Sequence, residues 1–474
     1  MKKSIYISCL CALVLFVACI SASVVFSSPL TEPDKLVYPQ LHFSLPQAKR
    51  VVLANGIILF IFEDHEIPLV NISAVIGIGS SNDPTDKEGL SELTFEVMRT
   101  GGTVALSGDA IDESLEFFAG SLAFSVEKDA GFFNLSVLRK DMDPGLDIFS
   151  QIIQLPAFED GKLKLAKALK IEELRRIIDN PQKLAFREFN RFMYQNNPRG
   201  RLPTILSIEA IQRDDLVQFH KKFFYPQNIM ITVTGDITEH EAIKKINQYF
   251  GMWNSSVQQR DAVPVPEKLK GRIYFLSKDT PQAIIIQGNL APAKQDIDAY
   301  SFEVLDFIIG SGGFRSRIFQ EIRNNLGLAY STGSFYRGRN GYGTFGAYAI
   351  TSSDSTIEVL SLIRSIIEDV KYKPISLSEL EWAKKAINNS FIFSFLSASQ
   401  IAHHQMMNEY DKLPDDYLIT YRENIGKVSA DDIRKVANKY LSSDHAVTLV
   451  VGNVKVYHLL KSTFGEIQKI GGSL

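Results

Sequence analysis

The chain has 474 residues, 45% of them hydrophobic, and a formal net charge of -3, which is material for two or more globular domains and not the composition of a disordered chain. No block of like charge stands out, so the basic footprint that phosphate backbones select is missing and nucleic acid is not expected as a partner. The N-terminus differs from the rest. Lys2 and Lys3 precede an uncharged stretch from Ser4 to Thr31 with an apolar centre from Leu10 to Ile20. This predicts a secretory signal over residues 1–28, cleaved near Ser21-Ala22-Ser23, or a retained membrane anchor. Cys9, Cys11 and Cys19 all lie inside it, so an exported mature chain has no thiol and depends on neither disulfides nor thiolate-bound metal. Cys19 follows Phe16-Val17-Ala18, a loose match to a lipoprotein cleavage box and a further route to a membrane tether.

Beyond residue 45 the first element is a hairpin, Val51 to Leu53 and Ile57 to Phe62 around Ala54-Asn55-Gly56, because Asn-Gly favours the positive backbone angles of a tight turn. The chain then repeats itself. Ile208 to Asp236 aligns without a gap on Ile425 to Asn453, 217 positions further on. In both copies paired Asp residues cap a helix with three- and four-residue apolar spacing, followed by an apolar strand ending in Gly. A looser match sets Pro68-Leu69-Val70 against Pro281-Gln282-Ala283. Between the copies, residues 254–271 hold Pro264, Pro266 and clustered charges, the composition of an exposed linker. The expected organisation is a unit at 45–253, the linker, and a homologous unit at 272–474. Each unit is α+β, a mostly antiparallel sheet with helices packed on one face. The two would face each other as a clamshell and enclose a chamber that selects peptides by size.

Residues 77–103 read GIGSSNDPTDKEGLSELTFEVMRTGGT, a turn and then a helix with an apolar stripe at Leu90, Leu93, Val97 and Met98. The order of hairpin, Pro68-Leu69-Val70 strand, Gly77-to-Ser81 turn, Gly89-Leu90 helix start and Gly101-Gly102-Thr103 stop resembles the pitrilysin or insulinase family of zinc peptidases, which includes the mitochondrial processing peptidases. In active members this helix carries His-x-x-Glu-His. Here the resemblance places Glu92 and Glu96 at the two histidines and Phe95 at the catalytic glutamate. The family's third ligand is a Glu on a later helix, and the run Glu173-Leu174-Arg175-Arg176 with Asp179-Asn180-Pro181 places Glu173 there. Three carboxylates suit a hard cation better than zinc, and Phe95 cannot accept a proton from an attacking water. Glu92 and Glu96 read more simply as solvated helix-surface residues. No other metal or catalytic motif replaces the site: no two of the eight histidines are four apart, and there is neither a Gly-x-Ser-x-Gly elbow nor a phosphate-binding loop.

The second half keeps a motif that the first has lost. Gly312 to Ser331 reads GGFRSRIFQEIRNNLGLAYS, similar to the family segment in which a helix ends in an Arg and a Tyr seven residues later opens a strand. The pair here is Arg323 and Tyr330. The resemblance implies that they bind substrate backbone and stabilise the oxyanion at the scissile carbonyl. A zinc helix without ligands, joined to an intact Arg and Tyr segment, resembles the accessory subunit of bacterial heterodimers in this family. That implies an exported, periplasmic protein, soluble or tethered, without metal or cofactor of its own, whose zinc sits in a homologous partner subunit acting on peptide substrates. The alternative is a stand-alone peptide-binding or structural protein with no peptidase role.

Overall fold

Strand β1 (Lys49–Val52) and strand β2 (Ile58–Glu63) pair antiparallel across the expected hairpin. Gly56 alone takes the positive φ, +92°. Asn55 instead uses its side chain, donating to the carbonyl of Phe250 at 2.8 Å, so one residue closes the turn and the other anchors it. The computed structural model describes residues 44–254, 264–266, 269 and 271–471. The expected signal segment with its cysteines, and most of the expected linker, lie outside the described residues.

Strands β3 (Leu69–Ile76), β4 (Ser121–Val126), β5 (Gly131–Leu138) and β6 (Ile229–Gly235) complete a six-stranded sheet in the order β1-β2-β6-β3-β5-β4. Among the described residues of this sheet only the β2–β6 pair is parallel. A second sheet follows from β7 (Arg272–Ser277), β8 (Gln282–Ala291), β9 (Ala329–Arg337), β10 (Gly343–Ser352), β11 (Val447–Gly452) and β12 (Gln468–Ile470), in the order β12-β7-β11-β8-β10-β9. Apart from the first strand of each list, the two orders are the same path. The parallel pair β2–β6 is matched by β7–β11, and β3 and β8 each start directly after a proline. The repeated sequence thus builds a repeated sheet.

The repeated helices, Arg213–Phe223 and Ala430–Tyr440, each carry their two Asp residues in the first turn and not at the cap. Gln212 and Ser429 hold the cap positions. Asp215 and Asp432 reach back to accept from their backbone N–H at 2.8 and 3.2 Å, the reciprocal half of a capping box.

Alternation along the strands buries both faces of each sheet. On β8, Ala283 and Ile285 face the helices of their own half, while Ile284 and Ile286 face the other way. That second face is covered by a helix from the first half, Pro181–Tyr194, through Leu184, Phe189 and Met193. Gly288 makes room for it, since a Cβ there would come 2.6 Å from Phe189 Cζ. Reciprocally, Ala398–Tyr410 of the second half lies on the first sheet, with Met406 among Phe60, Val75 and Phe132. Pro181 and Ala398, which open these exchanged helices, are again 217 positions apart. The halves face each other as expected, but among the described residues the inner sheet faces that would line the expected chamber are covered. The inner sheet faces are apolar and demand cover, and the exchanged helices supply it. Charged ties reinforce the contact: Arg50 grips Glu409 through both oxygens at 2.6 and 2.7 Å, and buried Arg199 donates to Asp129 and to the carbonyl of Asn340, each at 2.9 Å.

Candidate functional site

The helix on which the sequence placed the lost zinc motif spans Leu90–Thr100. Its start is fixed by Asp83, whose buried carboxylate accepts from the backbone N–H of Gly89 at 2.7 Å and of Ser91 at 2.8 Å. Leu90, Leu93, Val97 and Met98 are buried as their spacing predicts, and so is Phe95. Phe95 is fully enclosed, stacked on Phe133 at 4.9 Å and tilted against Phe224 at 5.4 Å. A Cβ on Gly131 would come 2.2 Å from its Cζ. The position at which the resemblance places the family's base is a core position in this chain.

Glu92 and Glu96, one turn apart, are half-buried and not freely solvated. Burial first, and the charge of Glu92 second, raise the Glu96 carboxyl above its ordinary range. Glu173 lies on the helix Asp160–Asp179. Between Glu92 and Glu173 sits a residue the sequence reading missed: Lys170 Nζ is 2.7 Å from Glu92 Oε1 and 2.9 Å from Glu173 Oε2. A Lys three positions before Glu173 was visible in the sequence; its pairing with Glu92, 78 positions away, was not. This set does not fit zinc, because it offers no imidazole, Phe95 brings no donor, and an ammonium already stands between two of the three carboxylates. Among the described residues no group of three or more His, Cys, Asp or Glu is placed to hold a metal ion.

Arg323 and Tyr330 come together. Arg323 lies in a π-helical turn, Phe319–Asn325, in which the N–H of Leu326 reaches back five residues to the carbonyl of Glu321 at 3.2 Å. Tyr330 lies at the start of edge strand β9, where Ala329 pairs with Thr351 and Ser331 with Ile350. Tyr330 is therefore the extra residue of a β-bulge. Both irregularities recur at functional sites because they re-aim a side chain without ending the element. The Arg323 Cζ stands 4.6 Å from the centre of the Tyr330 ring, 4.7 Å from that of Phe319 and 5.9 Å from that of Phe314. Rings against its faces leave the in-plane N–H groups free to donate. Among the described residues, neither the guanidinium nor the Tyr330 hydroxyl makes a hydrogen bond or ion pair, and Tyr330 is 81% exposed. No described contact of that kind joins this pair to Glu92, Glu96 or Glu173.

The same segment contains a buried acid. Asp306 ends the helix Asp298–Asp306 just before a first π-helical turn, Phe307–Ser311, and its Oδ1 accepts from Ser334 Oγ of β9 at 2.5 Å. Burial lifts Asp306 to about 6 and Asp83 to about 7. A carboxyl raised in the folded state contributes stability that is complete below its unfolded value and is lost as pH rises through the folded one. The share of the thermal midpoint that Asp306 and Asp83 contribute should therefore fall as pH is taken from about 5 to about 8, against an opposite slope from His220, His403 and His404, whose pKa burial lowers. Asp306→Asn should remove its part of that fall, as a melting series at stepped pH will read; an Asp306→Asn chain that keeps the parent's slope would refute the assignment.

Two family models divide the chain. Residues 60–203 match insulinase (peptidase family M16), and residues 210–387 match the peptidase M16 inactive domain. The chain belongs to peptidase family M16. An uncharacterized zinc protease of Rickettsia bellii is 25% identical over 84% of this chain and 96% of its own length. A probable mitochondrial-processing peptidase subunit beta of Arabidopsis thaliana is 21% identical over 90% of this chain and 84% of that protein. The crystal structure of a peptidase M16 inactive domain from Pseudomonas fluorescens superposes with a TM-score of 0.79 at 22% identity, covering 86% of this chain and 98% of that one. The periplasmic protease PqqL of Escherichia coli gives 0.73 at 15% identity, covering 88% of this chain and 48% of that one. The M16 fold thus accounts for the duplicated sheets. Among the described residues no helix is long and apolar enough to cross a membrane.

Proposed function

We propose that this M16 chain is the non-catalytic subunit of an exported metallopeptidase, in which a homologous partner holds the zinc and this chain completes the active site and the peptide chamber. The observation that carries the reading is the contrast between the halves. Tyr330 is exposed, Arg323 is half-buried against its ring, and both are free to donate, whereas the metal position of the first half is closed by Lys170 and its base position is packed into the core. In this reading the chamber lies between two chains, because the inner sheet faces within one chain carry the exchanged helices. Arg323 holds substrate backbone carbonyls through its in-plane N–H groups, and the Tyr330 hydroxyl donates to the oxygen on which negative charge develops. The export signal is read from residues 1–28, and the division between the halves from residues 254–271.

The test is co-expression with a related chain that carries an intact His-x-x-Glu-His, followed by peptide digestion with each chain alone and with the mixture. Peptidase activity should be absent from this chain alone and appear in a co-purifying complex at well above the partner's own level. Chelator-sensitive activity with stoichiometric zinc in this chain alone would falsify the proposal. Assembly without any gain in turnover would favour the structural alternative.

A further inference from the structure

We infer that Lys170 is a built-in cation at the family's metal position, joining the helix Leu90–Thr100 to the helix Asp160–Asp179 and closing that position to divalent metals. Nothing in this depends on the roles given to Arg323 and Tyr330. Glu92 and Glu173 stand on different helices, and among the described residues the only positive group within ion-pair distance of both is the Lys170 ammonium, at 2.7 and 2.9 Å. The Lys170 side chain is 12% exposed against 43% and 58% for its two partners. The charge is therefore held inside the contact while the carboxylates look outward. Glu96 adds a third acid beside Glu92 on the same helix. Without the ammonium, like charges would face each other across the helix contact; with it, the helices are cross-linked as a bound cation would link them. A free divalent ion would have to expel a tethered ammonium and then sit beside it, against like-charge repulsion. Two consequences follow for the chain. Its stability should not depend on metal supply, and restoring histidines at 92 and 96 should not restore zinc while Lys170 remains.

The experiment uses the purified chain alone and reads its thermal midpoint with EDTA, with millimolar Mn²⁺ and with millimolar Ca²⁺, hard ions suited to carboxylate oxygens. The parent and Lys170→Arg should be unmoved by all three additions. Lys170→Met keeps much of the apolar stem and removes the charge; it should melt about 2–5 °C lower and recover most of that loss with Mn²⁺ or Ca²⁺. Adding Glu92→Gln and Glu173→Gln to Lys170→Met should abolish the response to both ions. If Lys170→Met does not fold, Lys170→Gln, which removes the charge and keeps both carboxylates, carries the same comparison. A parent that is stabilised by Mn²⁺ or Ca²⁺, or destabilised by EDTA, overturns the inference. So does a charge-removing variant that ignores both ions, because Lys170 would then only be packing.

Discussion

Phe95→Glu, which puts a carboxylate where the resemblance places the family's catalytic base, should unfold this chain and not activate it. The side chain it replaces is fully enclosed between Phe133 and Phe224, with Gly131 kept small beneath it. Truncating a buried Phe costs about 3–5 kcal/mol in lost contacts and cavity. A carboxylate in the same place adds desolvation with no donor to meet it, and it must be protonated to stay inside. The sum approaches the whole stability of an ordinary domain, about 5–15 kcal/mol. We expect Phe95→Glu to be recovered mainly as aggregate, or to lose its cooperative melting transition in circular dichroism. Phe95→Leu, which stays apolar, should fold with a lowered midpoint. A soluble Phe95→Glu chain melting within about 2 °C of the parent, about 2 kcal/mol or less by the usual per-residue scaling, would mean that position 95 faces solvent.

Tyr330→Phe and Arg323→Ala should leave this chain's assembly with a zinc-bearing partner intact and remove most of the complex's turnover. Neither residue supports the core: Tyr330 is 81% exposed, and the guanidinium rests against rings without a described hydrogen bond. Tyr330→Phe keeps the ring on which Arg323 stacks and removes only the hydroxyl. Loss of one donor to a developing oxyanion costs about 10²–10³ in kcat, whereas loss of a contact equally strong in the ground state would raise KM and leave kcat alone. Arg323→Lys separates charge from geometry, because an ammonium cannot present a planar fork or stack on Tyr330 as a guanidinium does. The readouts are gel filtration for assembly, melting for stability, and kcat against KM on one peptide. Unchanged kcat in both Tyr330→Phe and Arg323→Ala, with assembly confirmed, would move the chain to the structural class.

How legible these sites were varied with how far apart in the chain their parts lie. Reading a lost zinc motif from the resemblance needed only positions 92, 95 and 96, and reading the Arg–Tyr pair only its seven-residue spacing. The π-turn under Arg323 and the bulge at Tyr330 left no such mark, because an extra residue in a helix or strand changes hydrogen-bond register without changing composition. Asp214 and Asp215 were read as caps. Helix ends are poorly marked in sequence to within about two residues, and the cap itself is Gln212, two positions before Asp214.

By itself the sequence determined the duplication, since 217 positions separate two copies with the same apolar and polar order and the same order forces the same strand path. It also determined that the Leu90–Thr100 helix has no imidazole at 92 or 96 and no carboxylate at 95. Only the tertiary structure decided what took their place. The stripe at Leu90, Leu93, Val97 and Met98 leaves Phe95 on its margin, and burial there depends on Phe133 and Phe224 arriving from other elements. Lys170 reads as a surface lysine until the helix Asp160–Asp179 is laid beside Glu92. The closing of the inner sheet faces was likewise undecided locally. Ile284 and Ile286 could have lined a chamber as readily as a core, and it was the return of Phe189 from the other half, into the space left by Gly288, that buried them.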